Sequence, residues 1–196
     1  MEKKHEVEFR ALIPQEIFNA LLAKGRSSVS NGFAGPLSLI DAYFCLKSVA
    51  SFKEIEMDDV GSYSLRLRSE TNGSKETASM NTKVIQLEGD HNAWLEHETG
   101  ISSFIETEHI LNDIGFKKYF ELRKKRYSFE DESVHVCLED IEDFQPAIEV
   151  EIITTKAGTD KAKKTLLSYL SRNGISEGMI LKKSITNLLM RERARF

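Results

Sequence analysis

The chain has 196 residues, with 27 Lys and Arg against 31 Asp and Glu, a formal net charge of −4. Hydrophobic residues make up 40% and charged residues 30%, enough apolar material for the core of one domain spanning residues 1–196 and too much for a disordered chain. No apolar run approaches the roughly 20 residues of a membrane helix, two cysteines make neither a disulfide framework nor a zinc site, and the mild acidity argues against nucleic acid as a bulk partner.

The start, Met1 to Glu6, lacks a signal-peptide pattern, so a cytoplasmic location with reduced thiols is expected. A first strand is predicted over His5–Leu12. Pro14 then opens a helix whose stripe is Ile17, Phe18, Leu21 and Leu22, with Gly25 as its stop. A polar loop, Arg26–Pro36, leads to strands at Ile40–Leu46 and Ser62–Ser69. A second polar loop, Glu70–Glu76, precedes strands at Ser79–Leu87 and Trp94–Thr99. Ser103 with Glu106 forms a capping box for a helix carrying Ile110, Leu111 and Ile114 and closed by Gly115. Strands follow at Lys118–Phe129, Ser133–Glu139 and Ala147–Thr154. A helix over Thr159–Arg172 presents Ala162, Leu166 and Leu170 and stops at Gly174. A last helix starts near Ser184 with Ile185, Leu188 and Leu189. Eight short strands with hairpin-like connections and attached helices imply an α+β fold built on an antiparallel sheet or barrel.

Alternate residues of a strand face opposite ways, and here the alternation sorts charge. Glu6, Glu8 and Arg10 oppose Val7, Phe9 and Ala11; Arg66 and Arg68 oppose Leu65 and Leu67; Glu96 and Glu98 share a face, as do Lys124 and Arg126; Glu149 and Glu151 oppose Ile148, Val150 and Ile152. Any one such strand is explained by a sheet with one wet face. The set as a whole is different, with acid pairs on three strands and base pairs on two others. Like charges crowded on one face repel; divalent cations would compensate the acids and a polyanion the bases. In a closed barrel both sets would line one interior. Mg²⁺ and Mn²⁺ favour carboxylate oxygen and bridge to phosphate oxygens, while Arg and Lys take up phosphate charge.

In order along the chain, Glu6-Val7-Glu8-Phe9-Arg10, Asp41-Ala42-Tyr43-Phe44, Leu65-Arg66-Leu67-Arg68, Thr82-Lys83, Glu96-His97-Glu98, Gly115-Phe116, Arg123-Lys124-Lys125-Arg126, Leu138-Glu139, Glu149-Val150-Glu151 and Ser184 to Leu189 resemble the motifs of the CYTH domain, or triphosphate tunnel metalloenzymes. That family includes class IV adenylyl cyclases, thiamine triphosphatases and inorganic triphosphatases. The resemblance implies an eight-stranded antiparallel β-barrel, the triphosphate tunnel, with flanking helices. It implies Mg²⁺ or Mn²⁺ held by Glu6, Glu8, Glu149 and Glu151, with Glu139 serving a second metal. It implies a triphosphate held by Arg10, Arg66, Arg68, Lys83, Lys124 and Arg126, and an attacking water activated by Lys83 and Tyr43. The expected activity is metal-dependent hydrolysis of a small triphosphate. The alternatives are a class IV-type adenylyl cyclase and a non-catalytic polyphosphate or nucleotide sensor; a homodimer stays open. Arg10 stands for the family's Lys, Glu139 for its Asp, Gln145-Pro146 for a glycine turn, Trp94 for an Arg, and Ile185 for a Tyr.

Other chemistry-bearing residues are sparser. His5, His91, His97, His109 and His135 have no metal-ligand spacing, and no Walker, dinucleotide-binding, zincin or nucleophile-elbow motif occurs. His135 and Cys137 share a face with Glu139 and are open to either tunnel lining or packing. Arg191 to Arg195 reads as a basic tail.

Overall fold

The computed structural model describes residues 5–27, 32–56, 60–85, 94–182 and 185–196. Among them the chain runs β1 (His5–Leu12), α1 (Gln15–Ser27), β2 (Ala34–Leu46), β3 (Tyr63–Asn72), β4 (Lys75–Ile85), β5 (Trp94–Ile101), α2 (Phe104–Asp113), β6 (Phe116–Asp131), β7 (Val134–Ile141), β8 (Ala147–Thr154), α3 (Thr159–Arg172) and α4 (Ile185–Arg193). The strands form one eight-stranded antiparallel sheet in the order β1-β8-β7-β6-β2-β3-β4-β5. Hydrogen bonding runs from β1 at one end to β5 at the other, so the expected barrel is not closed by a ladder among the described residues. Among the described residues, no helix is long and apolar enough to cross a membrane.

The chain divides into two compact units, Met1–Leu37 with Lys124–Ser184, and Ser38–Arg123 with Ile185–Phe196. Both inner boundaries fall inside strands, β2 and β6. In the first unit, β1 pairs β8, β8 pairs β7, and β7 pairs β6. One face of these strands is apolar. Val7, Ala11, Tyr127, Phe129, Val136, Leu138, Ile148 and Val150 pack with Phe18 and Leu21 of α1 and with Ala162, Leu166, Tyr169 and Leu170 of α3. In the second unit, β2, β3, β4 and β5 pair in sequence, and Ala42, Phe44, Leu65 and Leu67 pack with Leu111 of α2. Each set of strands thus buries one face under helix and leaves the charged face to other work.

Local signals explain most boundaries. Ser103 accepts from the Glu106 N–H at 3.2 Å and caps α2. Gly115 and Gly174, at φ of 101° and 78°, lie just beyond α2 and α3, where a side chain would be strained. The two polar loops are shorter than expected. The β3–β4 ladder continues to the Asn72↔Lys75 pair, so most of 70–76 is strand. β2 begins at Ala34, and α1 runs on to Ser27. Residues 28–31 of that first loop, the end of the expected Ser79–Leu87 strand, His91 and Ser184 lie outside the described residues, as do the side chains of His5, Glu6 and Trp94.

Gly25 does not end α1. It sits inside the helix, buried, because the Phe129 ring occupies the space beside it: a Cβ there would lie 2.7 Å from Phe129 Cδ1. On helix propensity alone, Gly25→Ala would stabilise by about 0.5–1 kcal/mol. The close approach reverses the sign, and a loss of about 1–3 kcal/mol is expected from overpacking, readable by urea denaturation.

Candidate functional site

The site is built from paired strands whose register decides which charges meet. In the first unit, Glu8 lies opposite Glu151 and Arg10 opposite Glu149 across β1–β8. Glu151 in turn opposes His135, and Glu149 opposes Cys137, across β8–β7. Arg126 opposes Glu139 across β6–β7. Directly paired residues share a face, so Glu8, Arg10, Glu149, Glu151, His135, Cys137, Glu139, Lys124 and Arg126 occupy the face opposite the apolar core.

Glu8, Glu149 and Glu151 converge there, each offering a carboxylate oxygen within 4.8 Å of the others. Three carboxylates so close repel unless a cation lies among or beside them. Arg10 is one such cation. Its Nη2 donates to Glu8 Oε2 at 2.9 Å and its Nε to Glu149 Oε2. Burial alone would lower the Arg10 pKa, but Glu149 and Glu8 raise it above its ordinary value.

Glu139 does not join the trio. It is buried, and one of its oxygens accepts from Lys124 Nζ at 2.6 Å and from Arg126 Nη2 at 2.7 Å and Nε at 3.1 Å. Burial would push its carboxyl up; the two cations outweigh that and hold it at about 2. Reciprocally, burial disfavours the Arg126 charge while Glu139 restores it and raises its pKa. In this state Glu139 fixes two phosphate-binding candidates in place.

The second unit carries its own charged face. Asp41 pairs with Arg68, Tyr43 with Arg66, Arg66 with Asn81, Asn81 with Glu98, and Lys83 with Glu96. Asp41 is buried and accepts from Arg68 Nε at 2.6 Å and Nη2 at 2.8 Å, a two-pronged pair. Burial works against the Arg68 charge, but Asp41 more than restores it, and the pKa is raised. Arg66 is held less tightly. Its Nε is buried without a hydrogen bond, with Asp41 Oδ1 3.9 Å away.

On the far strands, Lys83 Nζ lies 3.3 Å from Glu96 Oε2, and Asn81 Nδ2 donates to Glu96 Oε1 at 2.5 Å. Burial would raise the Glu96 carboxyl; Asn81 and Lys83 bring it below its ordinary range. Tyr43 is buried against Phe120, ring centroids 5.9 Å apart. Burial first, then Asp41, pushes its phenol up, despite a hydrogen bond with Thr186.

Of the residues singled out from the sequence, the structure brings together Glu8, Arg10, Glu149 and Glu151 as one group, and Lys124, Arg126 and Glu139 as a second. It gathers Arg66, Arg68 and Tyr43 around Asp41, and sets Lys83 with Glu96. The Glu6 backbone pairs with Ile153 in β1, and its side chain lies outside the described residues. Asp41, Asn81 and Glu96 were absent from the expected binding set. Asp41 carried a readable signal, an acid on an otherwise apolar strand beside Tyr43 and Phe44. Asn81 carried none, since a neutral polar residue in a strand is ordinary.

The model of the CYTH domain family matches residues 4–185 of this chain. No curated protein is similar enough in sequence to match. Among solved structures, the PH1819 protein of Pyrococcus horikoshii OT3 is 21% identical over 96% of this chain and 100% of its own, with a TM-score of 0.71. A Vibrio parahaemolyticus protein described as "a putative adenylate cyclase" is 16% identical over 94% and 97%, with a TM-score of 0.67. A chain in the Schizosaccharomyces pombe Mediator head module is 11% identical over 88% and 95%, with a TM-score of 0.56. At these identities the likeness shows the fold.

The Glu139 cluster sets a pH dependence. Its folded pKa of about 2 lies below the ordinary 4.5, so its contribution is complete above about pH 4.5 and lost as pH falls towards 2. A shift of that size corresponds to about 3 kcal/mol. Glu139→Gln leaves Lys124 and Arg126 without their anion. It is expected to cost about 3 kcal/mol at pH 7 and to flatten the acid limb, as measured by urea denaturation between pH 7 and pH 3.

Proposed function

The chain belongs to the CYTH domain family, and from that membership we propose that it hydrolyses a triphosphate-containing small molecule with the help of a divalent cation. The observation that carries the reading is the Glu8, Glu149 and Glu151 trio on the same face as Lys124 and Arg126. A carboxylate group and a half-buried basic group on one strand surface match the two halves of a metal–phosphate complex. The donors suit Mg²⁺ or Mn²⁺, being all oxygen and anionic. Such a cation, when bound, supplies charge neutralisation at phosphate oxygens.

The chain's own residues do the rest by position and charge. Lys124 and Arg126, fixed by Glu139, present positive charge that needs no reorganisation when a phosphate arrives. Arg10 steadies Glu8 and Glu149 and adds a donor of its own. Arg68 is tied to Asp41, so its part is to shape the positive face around Arg66. Arg66 keeps an unused buried donor, which an incoming phosphate oxygen would satisfy. Lys83 and Tyr43 are the candidates for orienting the attacking water. With its phenol held protonated by burial and Asp41, Tyr43 serves as a hydrogen-bond donor, and the Lys83 ammonium steers the water and the leaving oxygens. Phosphoryl transfer asks chiefly for such positioning. We read residues 1–196 as one such domain acting in the cytoplasm.

Product analysis tests the reading. With Mg²⁺ or Mn²⁺ and ATP, GTP, inorganic triphosphate or thiamine triphosphate, the expected product is orthophosphate. Cyclic AMP with pyrophosphate would replace the hydrolase by a cyclase, and saturable binding without turnover would replace it by a sensor. Glu8→Gln is expected to lower kcat about 100-fold or more, with full activity sinking the metal assignment. Arg66→Ala is expected to raise KM about tenfold or more, since a charge-assisted contact to phosphate is lost.

A further inference from the structure

The last helix belongs to the second unit and reaches Tyr43. In α4, Ile185, Leu189 and Met190 are buried, spaced as one helical face. Thr186 lies half-buried beside that face, and its hydroxyl shares a side-chain hydrogen bond with the Tyr43 phenol. Tyr43 is itself buried on β2 against the Phe120 ring. Asp41 stands two residues before it on the same face of β2, and Arg66 and Arg68 oppose the two of them from β3.

Thr186 is held in place by the rest of the helix and by the residues after it. Arg191 forms an ion pair with Glu56 and lies over the Phe52 ring, 6.0 Å from its centroid. The Tyr119 hydroxyl donates to Met190 Sδ at 3.6 Å. Beyond α4, the Arg195 N–H donates to the Tyr119 carbonyl at 2.8 Å, and the Phe196 ring stacks on the Tyr119 ring with centroids 5.6 Å apart. Lys117 Nζ lies 5.8 Å from the Phe196 centroid. A helix tied down at so many points carries a β-branched threonine, stiff at χ1, and so presents its hydroxyl in one place.

The direction of the hydrogen bond decides what the contact does. A hydroxyl has one proton to give and two lone pairs to receive. Burial, then Asp41, raises the Tyr43 pKa, whereas Arg66, Thr186 and Arg68 act to lower it. A contact that favours the phenolate is one in which the partner donates. With Thr186 donating, the Tyr43 oxygen is anchored from the α4 side, and its own proton is left to donate elsewhere.

We propose that Thr186 is the positioning residue for Tyr43, fixing the phenol oxygen so that the tyrosine proton is aimed at the attacking water. The inference rests on the hydrolase reading for the part Tyr43 plays in the reaction; the contact itself is tested without turnover.

Thr186→Val keeps the side-chain shape and removes the hydroxyl, while Thr186→Ser keeps the hydroxyl. With Mg²⁺ and inorganic triphosphate, Thr186→Val is expected to lower kcat about five- to tenfold, the loss of one hydrogen bond. KM should stay within about twofold, because no phosphate contact is removed, and Thr186→Ser should recover most of the rate. Tyr43→Phe is expected to lower kcat about 100-fold, and Thr186→Val added to it should cost nothing more, since the threonine acts through the phenol. In the full chain labelled with carbon-13 at tyrosine Cζ, the resonance absent from Tyr43→Phe should move in Thr186→Val and return in Thr186→Ser. An unmoved resonance, or the same fractional loss of kcat from Thr186→Val in the Tyr43→Phe background, would overturn the proposal. A fully active Tyr43→Phe would instead overturn the catalytic part given to Tyr43 and, with it, the use made of the Thr186 contact.

Discussion

The register of β1 against β8 is the constraint from which the first unit's site follows. Glu8 meets Glu151 and Arg10 meets Glu149 because Val7, Ala11, Ile148 and Val150 must reach the core under α1 and α3. A slip of one residue would turn those apolar side chains outward and bury the acids. The cost of exposing Val7, Ile148 and Val150, about 1.5–3 kcal/mol each, exceeds the repulsion between carboxylates that the native register imposes. Hydrophobic burial therefore holds like charges together, and the strain is relieved by Arg10 now and by any cation the site takes up.

The same economy of compensation recurs with opposite sign. Glu139 in the first unit and Asp41 in the second are buried acids, each gripping basic residues on a neighbouring strand. An ion pair of this kind is costly to break, because the remaining charge is left buried and unpaired. Its consequence is geometric. Lys124, Arg126 and Arg68 are long side chains that would otherwise sample many rotamers; gripped at one end, each holds its positive charge in a fixed place within its own unit. Preorganised charge of that sort favours a polyanion without rearrangement on binding.

Period-two patterning made the strands legible, and with them the sorting of charge onto one face. The motifs shared with CYTH domains placed the acid and base strands in order, and the family match over residues 4–185 agrees. What patterning could not show is partnership. Glu139 and Glu149 read alike in sequence, both acids on strands with apolar alternation. The fold gives one to Lys124 and Arg126 and the other to a carboxylate trio. Gly25 likewise read as a helix stop, since composition cannot reveal that Phe129 would crowd a side chain there. Partners far apart in the chain, such as Arg10 and Glu149, are set by strand order, which local propensity does not encode.

Membership of a fold leaves chemistry open, because the same backbone is found in a Mediator head chain and in a protein described as a cyclase. The useful distinction lies in which charges are already satisfied. Charges closed on one another, as Asp41 on Arg68, stabilise a shape whatever the fold does. An Arg66 donor buried without a hydrogen bond is a costly feature in a protein that binds nothing. Its cost is removed where an acceptor arrives to complete it. On that argument the open Arg66 donor, more than the fold, points to an anionic ligand.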